Sequence, residues 1–393
     1  KSKKDSKIFQ YRIRKELKSM DRELDMKYLS QYLGLIGPVY DVPQYECIVS
    51  YQNQIIYRYQ SSLAKKRLYF VYSVTKPVTC AGALRLVEQD KLRLDAPVSK
   101  YLPEYGAMRV RSENGFKAAK RQIRIWELFT MCGGLNYDLT SPSIRKARAR
   151  NPCACTREMV KAFAEEPLEF EPAMHYRYSL CHDVLAAVVE SVSGMRFGEY
   201  QKRMIFDPLE MSETSYGIPE KKENQMAPQY GYTLKDGLGP KPLECEFILT
   251  PAYESGGAGL VTSADDYIKF AAAMANGGVS QNGYRLLKQE TVDLMRTNQL
   301  PAECITENPK FDQGYGYGLG VRTMLDRERC GAKSPVGEFG WSGAGGAYAL
   351  MDVKNQLALF YVQHVVCNSK VAREVHPMLR DLTYTCLKID EKF

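Results

Sequence analysis

Arg67-Leu68-Tyr69-Phe70-Val71-Tyr72-Ser73-Val74-Thr75-Lys76-Pro77-Val78-Thr79-Cys80 joins a short apolar strand or loop to a helix, with a serine at the junction. Lys76 follows Ser73 by three residues. On a helix, positions i and i+3 share one face about one turn apart, which sets the amine beside the hydroxyl. Pro77 agrees with this placement, because its missing N–H costs little in a first helical turn but roughly 3 kcal/mol in a helix interior. Ala81, Ala83, Leu84, Leu86 and Val87 then carry the apolar pattern, with Arg85, Glu88 and Gln89 as polar positions. Two other Ser-x-x-Lys spacings occur. Ser62-Leu63-Ala64-Lys65 has no strand before it, and Ser143-Ile144-Arg145-Lys146 lies in a basic run, Arg145 to Arg150, with no apolar helical face. Local sequence leaves Ser73 two roles: a helix N-cap, for which serine is favoured, or a nucleophile.

At 393 residues the chain can build a large core, as one large domain or two intimate ones. Charged residues are 25% and hydrophobic residues 45% of the chain, ordinary for a globular protein. No apolar run approaches the roughly 20 residues of a membrane span. The net charge of +8 comes partly from the lysine-rich start and partly from Arg145 to Arg150. Aromatic residues do not interleave with the basic ones as a single-strand nucleic-acid platform requires, so a solvated surface is expected and nucleic acid is not. Eleven cysteines without regular spacing and four histidines offer no zinc pattern, and Cys153-Ala154-Cys155 is the one close pair. Mostly reduced thiols and a cytoplasmic location are the expectation, since no apolar leader follows Lys1-Ser2-Lys3-Lys4.

Working outward, Ser6 to Leu35 has a loose helical rhythm, and Tyr45 to Tyr59 reads as a hairpin about Gln52-Asn53-Gln54. From Thr75 to about Tyr216 helical signals dominate. A helix from Ile125 to Thr130 is ended by Gly133-Gly134, and another runs from Asp183 to Gly194. Pro219 to Lys241 is polar and Gly/Pro-rich, which suggests a surface loop. Ser263-Ala264-Asp265-Asp266 is an N-cap followed by acidic first-turn residues. Ala347 to Met351 and Leu357 to Val362 flank Asp352 to Gln356 as a hairpin, and Ser369 to Leu387 closes the chain as a helix. This order predicts an α/β (α+β) protein: residues 1–75 and 245–393 form one sheet domain built from both chain ends, and residues 76–244 a mostly helical insert.

A serine is a poor nucleophile until a base takes its proton. A lysine with lowered pKa serves, as does a tyrosine whose phenolate is stabilised by cations. Tyr178, in Tyr176-Arg177-Tyr178-Ser179-Leu180-Cys181-His182-Asp183, precedes a helix and is the candidate tyrosine. A third stretch, Phe339-Gly340-Trp341-Ser342-Gly343-Ala344-Gly345-Gly346, has the small residues that let backbone N–H groups approach a ligand; a tight turn between strands explains it equally.

These three stretches, in this order, resemble the serine β-lactamase and penicillin-binding-protein superfamily in its class C-like branch. The resemblance runs from about Pro43 to the C-terminus and extends to Leu94-Asp95-Ala96-Pro97, Leu128-Phe129-Thr130-Met131, Pro208-Leu209-Glu210-Met211 and Gly257-Ala258-Gly259-Leu260. It implies an antiparallel sheet flanked by helices, an inserted helical domain, and a site in the cleft between them. It also implies Ser73 as nucleophile, Lys76 and Tyr178 as the base pair, and an oxyanion hole from the N–H groups of Ser73 and Ala344. No metal or organic cofactor is implied. Two departures matter. Leu180 stands where the lactamases carry an asparagine, and Trp341 where their third motif begins with lysine, which removes an amide partner and a cation. In both respects the chain looks like the family VIII carboxylesterases, with Trp341, Ser342, Gly343 and Leu180 as substrate-binding residues and a small-molecule ester or amide as substrate. No Gly-x-Ser-x-Gly elbow is present. A β-lactamase or D-amino-acid peptidase, an acyltransferase, and an inactive binding module on the same scaffold are the alternatives. The oligomeric state is not legible.

Overall fold

The computed structural model describes residues 26–62, 67–219, 221–233, 235–306 and 313–389. Its central layer is an antiparallel sheet that both ends of the chain supply. Helix α1 (Lys27–Tyr40) leads to strands β1 (Tyr45–Tyr51) and β2 (Gln54–Gln60), and β3 (Tyr69–Phe70) follows. Gln52 and Asn53 both adopt positive φ, 50° and 59°, as the two central residues of a tight hairpin turn with matching twist require. Then come α2 (Thr75–Glu88), the hairpin β4 (Arg109–Ser112) and β5 (Gly115–Ala118), α3 (Ile125–Phe129), α4 (Pro142–Arg150), α5 (Thr156–Phe163), α6 (Cys181–Ser193) and α7 (Phe197–Gln201). Strands β6 (Ser215–Tyr216), β7 (Tyr230–Thr233), β8 (Gly237–Pro240) and β9 (Leu260–Thr262) precede α8 (Ala264–Ala275), α9 (Gln289–Arg296) and α10 (Ala302–Thr306). The chain ends with β10 (Tyr315–Tyr317), β11 (Arg322–Met324), α11 (Arg327–Cys330), β12 (Phe339–Ser342), β13 (Tyr348–Asp352), β14 (Leu357–Gln363), β15 (Val365–Val366) and α12 (His376–Cys386).

The large sheet has the order β10-β11-β12-β13-β14-β1-β2. Its interior strand β14 shows why the layers form. Leu357, Leu359 and Tyr361 enter the core shared with Leu29, Leu33 and Ile36 of α1 and Leu379 and Tyr384 of α12. Ala358, Phe360 and Val362 enter the opposite core with Tyr267, Ile268 and Ala271 of α8. A strand places successive side chains on opposite faces, so a continuous apolar run marks one covered on both sides. Edge strand β2 instead alternates exposed and half-buried residues. Helix α8 starts where Ser263 Oγ accepts from Asp266 N–H at 3.2 Å.

Three expectations change. The helix expected over Ser6 to Leu35 extends to Tyr40 through Pro38, while its first part, and residues 63–66 of the Ser62 spacing, lie outside the described residues. The basic run at Arg145 is helix α4, which buries only Ser143 and Ile144 of its first turn, with Ser141 Oγ accepting from Ile144 N–H. Within Pro219 to Lys241, β7 and β8 pair antiparallel and β7 runs parallel to β15. Tyr230, Tyr232 and Leu238 pack on the outer core there, and Gly237 takes the positive φ of the turn, so short strands hide under a loop-like composition. All eleven cysteines are free thiols. Among the described residues no helix is long and apolar enough to cross a membrane, and no cluster of His, Cys, Asp or Glu could hold a metal ion.

Candidate active site

Ser73 lies in a single 3-10 turn, Tyr72–Val74, between β3 and α2. The N-cap of α2 is Val74, without a side-chain bond, so Ser73 Oγ is not spent on capping. Ser73 is half-buried, whereas the helix behind it is buried almost all round, from Thr75 to Leu84. Tyr72 adopts φ +50°, a left-handed conformation unusual for an aromatic residue and worth about 1–3 kcal/mol of strain. Its ring is wedged between Phe70 and Phe247, and its hydroxyl accepts from Gln229 Nε2 at 2.7 Å, which holds the turn.

Two groups converge on Ser73, and a third supports one of them. Tyr178 OH donates to Ser73 Oγ at 2.7 Å, and Lys76 Nζ donates to the same oxygen at 3.3 Å. Trp341 Nε1–H in turn donates to Tyr178 OH at 3.4 Å. The Trp341 ring stacks on Tyr178, with centroids 5.8 Å apart, and meets Tyr317 edge-on at 5.2 Å. Tyr178 is held just ahead of α6 because Arg177 N–H bonds Met131 O and Leu180 N–H bonds Asn136 O.

Lys76 is fully buried. Its ammonium also donates to Gly257 O at 2.7 Å and sits 4.4 Å from the centre of the Tyr178 ring, whose face attracts a cation. Gly257 reaches Lys76 because β3 pairs with β9, Tyr69 opposite Thr262, and the glycine run leads directly into β9. A Cβ on Gly257 would lie 2.6 Å from Asp183 Oδ2 and 3.6 Å from Lys76 Nζ, so only glycine fits. Asp183 is buried, and its Oδ1 accepts from Tyr253 OH at 2.7 Å and Ser255 Oγ at 2.6 Å. Burial pushes the Asp183 carboxyl above the usual range, opposed by these hydroxyls and by the Lys76 charge. His182 is pushed down to about 3, first by burial and then by Lys76, and is therefore neutral.

The end of β12 closes the site. β11 pairs with β12 only at Phe339 and Gly340, so the edge at Trp341 and Ser342 is left open by β11. Beyond it the chain turns: Gly343 N–H bonds Ala347 O and Gly346 N–H bonds Gly343 O, with Ala344 exposed at the tip. A Cβ on Gly343 would lie 2.2 Å from Val71 O. This close approach sets the turn beside the backbone that carries Ser73.

The structure thus brings Ser73, Lys76, Tyr178 and Trp341 into contact and sets the Ser342-Gly343-Ala344 turn alongside. Leu180 stands apart. It is buried and lines a small inner cavity with Leu135, Ile144 and Phe163 under α4, so it belongs to the core and not to the wall facing Ser73. The direction of the first helical turn after Tyr178 decides this, because the Leu180 side chain follows α6 inward. Gly257, Asp183 and Tyr137 were not foreseen as site residues. Gly257 opens Gly257-Ala258-Gly259-Leu260, and Asp183 follows Tyr178 by five residues. Tyr137, edge-on to Tyr178 at 5.5 Å and against Phe247 at 5.5 Å, has no local signal.

The family model described as Beta-lactamase matches residues 41–376. The chain is 28% identical over 316 residues to protein Rv1367c of Mycobacterium tuberculosis, an alignment covering 77% of this chain and 79% of that protein. It is 29% identical over 331 residues to esterase EstB of Burkholderia gladioli, covering 76% and 80% respectively. Among solved structures, EstCE1, described as a hydrolase with promiscuous acyltransferase activity, superposes with a TM-score of 0.75 at 22% identity, over 90% of this chain and 97% of that one. This last likeness is one of fold.

Proposed function

Because this chain belongs to the Beta-lactamase family, we propose that it is a serine hydrolase that cleaves carboxylic esters through an acyl-enzyme on Ser73. The observation that carries this reading is the bracketing of Ser73 Oγ by Tyr178 OH at 2.7 Å and Lys76 Nζ at 3.3 Å. With Tyr178 as phenolate the short contact runs the other way, and Ser73 donates its proton as Oγ attacks the ester carbonyl carbon. Lys76 Nζ lies 4.4 Å from the centre of the Tyr178 ring, and the Trp341 N–H donates to the tyrosine oxygen at 3.4 Å, so both face the oxygen's side of the proton relay. The oxyanion formed by attack lies between the N–H groups of Ser73 and Ala344. As the ester C–O bond breaks, the proton held by the Tyr178–Lys76 pair passes to the leaving alcohol. Water then gives one proton to the same pair and its oxygen to the acyl carbon; the acyl–Oγ bond breaks, the pair returns that proton to Ser73 Oγ, and the acid leaves. The sheet body and the helical segment 76–244 act as the two walls of this cleft.

Support for an ester over a β-lactam or D-amino-acid peptide comes from Trp341. It places a neutral ring, stacked on the base, where a cation for a substrate carboxylate would be needed. The named esterase among the relatives agrees. The test is steady-state turnover of p-nitrophenyl butyrate beside a chromogenic cephalosporin, with Ser73→Ala as control. Ester turnover that falls roughly a thousandfold or more in Ser73→Ala is expected, with little cephalosporin cleavage. Cephalosporin turnover equal to or faster than ester turnover would put the lactamase alternative first.

A further inference from the structure

Lys76 and Asp183 are both buried, and among the described residues neither forms a direct ion pair. A buried charge is costly unless another charge or hydrogen bonds offset it. Here the offset runs through one glycine. Gly257 O accepts from Lys76 Nζ at 2.7 Å, and Gly257 N–H points at Asp183 Oδ1 at 3.5 Å. The residue between the two charges thus turns its N–H to the anion and its C=O to the cation. The point where a Cβ would sit on Gly257 is 2.6 Å from Asp183 Oδ2 and 3.6 Å from Lys76 Nζ, so carboxylate and ammonium are at most about 6 Å apart, within the range where opposite charges act strongly on each other. Sequence makes this approach possible. Asp183 is the acidic residue in the first turn of α6, and Gly256 lets the loop lie on that turn, because a Cβ there would collide with His182 O.

The other carboxylates of the loop face elsewhere. Glu254 binds Gly198 N–H at 2.9 Å and Arg196 at 3.6 Å, and Glu246 is exposed. The remaining titratable neighbours are Tyr137 and Tyr178 about the ammonium and Tyr253 on the carboxylate. Cys80 and His182 feel the Lys76 charge, and Cys181, Tyr105 and Tyr216 that of Asp183. Burial raises both thiols and Tyr137, Tyr253, Tyr105 and Tyr216 and lowers His182, so these groups are uncharged near neutral pH. Asp183 is the anion that answers Lys76. The Tyr253 and Ser255 hydroxyls both donate to its Oδ1, which favours the ionised carboxylate.

We propose that Asp183 is a positioning residue for the ester reaction: its carboxylate keeps the proton shared by Lys76 and Tyr178 on Lys76 Nζ, which leaves the Tyr178 oxygen free to accept from Ser73. The proposal rests on the ester-hydrolase reading, and two measurements separate them. Asp183→Asn keeps an oxygen for the two hydroxyls and removes the charge. The Lys76–Tyr178 pair then binds protons more weakly, so the acid limb of the kcat/KM profile for p-nitrophenyl butyrate is expected to move down by about one pH unit. A carboxylate that only anchors Tyr253 and Ser255 would change stability or the plateau but not the limb. An acid limb that stays in place or moves up overturns the proposal.

The second measurement needs neither a change at Asp183 nor turnover. Coupling between two sites is reciprocal. Lys76→Met keeps an unbranched chain and removes the ammonium, so Asp183 should hold its proton to higher pH. The infrared band of a protonated, buried carboxylic acid is followed against pH in wild type and Lys76→Met, and the difference between the two titrations reports on the carboxyl beside Lys76. The band is expected to persist about one pH unit higher in the variant; the same pH in both overturns the proposal. If Asp183→Asn does not fold, this band decides. If the wild type turns over no ester, the hydrolase reading fails, and the band still decides whether Asp183 holds the Lys76 charge.

Discussion

Gly343→Ala isolates the part of the site that no side chain supplies. The new Cβ would lie 2.2 Å from Val71 O, where a carbon and a carbonyl oxygen ordinarily approach to about 3.3 Å. The turn after β12 must therefore retreat from the Ser73 backbone by about 1 Å. A displacement of that size at reacting groups costs about a hundredfold in rate, and loss of one oxyanion donor costs 10²–10³. The expected outcome is a fall in kcat of about a hundredfold on p-nitrophenyl butyrate with little change in KM. The overpacking itself destabilises by roughly 1–3 kcal/mol, read as a lower urea midpoint. Two other glycines calibrate the effect. Gly345→Ala would bring a Cβ to 3.0 Å from the Tyr72 ring and is expected to fall between, and Gly239→Ala meets nothing within 4 Å and is expected to match the wild type. A folded Gly343→Ala enzyme with kcat within threefold of wild type would refute the role given to the Ala344 N–H.

Trp341→Phe keeps a ring against Tyr178 and Tyr317 but removes the N–H at 3.4 Å. A hydrogen bond to a charged acceptor is worth about 1.5–3 kcal/mol, and at 3.4 Å this one lies at the low end, so kcat is expected to fall roughly tenfold, and Trp341→Ala to fall further. Equal rates for Trp341→Phe and wild type would mean that the indole N–H does not act on Tyr178. Asp183→Ala leaves the buried Tyr253 and Ser255 hydroxyls without their acceptor and is expected to cost about 2–4 kcal/mol in urea unfolding; a loss below 1 kcal/mol would contradict this. Burial lowers His182 and His376 to about 3 and His364 to about 4, against a free value near 6.5. Each takes up a proton on unfolding, so the stability they support is complete above pH 6.5 and is lost as the pH falls from there toward 4 for His364 and toward 3 for His182 and His376. The slope approaches about 1.4 kcal/mol per pH unit for each histidine. His364→Gln should flatten the measured slope of unfolding free energy by about a third, and an unchanged slope would show that another group titrates there.

Local rules left a plain record in this chain. The continuous apolar run at Leu357 to Val362, the Gln52-Asn53 turn and the Ser263 cap were legible because strand alternation, left-handed turn residues and capping depend on near neighbours. The Ser73–Lys76 spacing was legible for the same reason, and the ordered motifs carried the fold class. What sequence left open is non-local. Tyr178 meets Ser73 across 105 positions, and Lys76 meets the Gly257 carbonyl across 181. Those contacts exist because β3 pairs with β9 and α6 packs on α2, which no window of sequence encodes. The same closure turned Leu180 into the core, gave α4 its buried face through Ile144, and paired β7 with β15. Sequence alone determined which residue types could do chemistry and where the strongly patterned strands and helices lie. Only the tertiary structure decided which of them meet, because a carbonyl, a ring face or a missing Cβ acquires its partner when distant segments close around it.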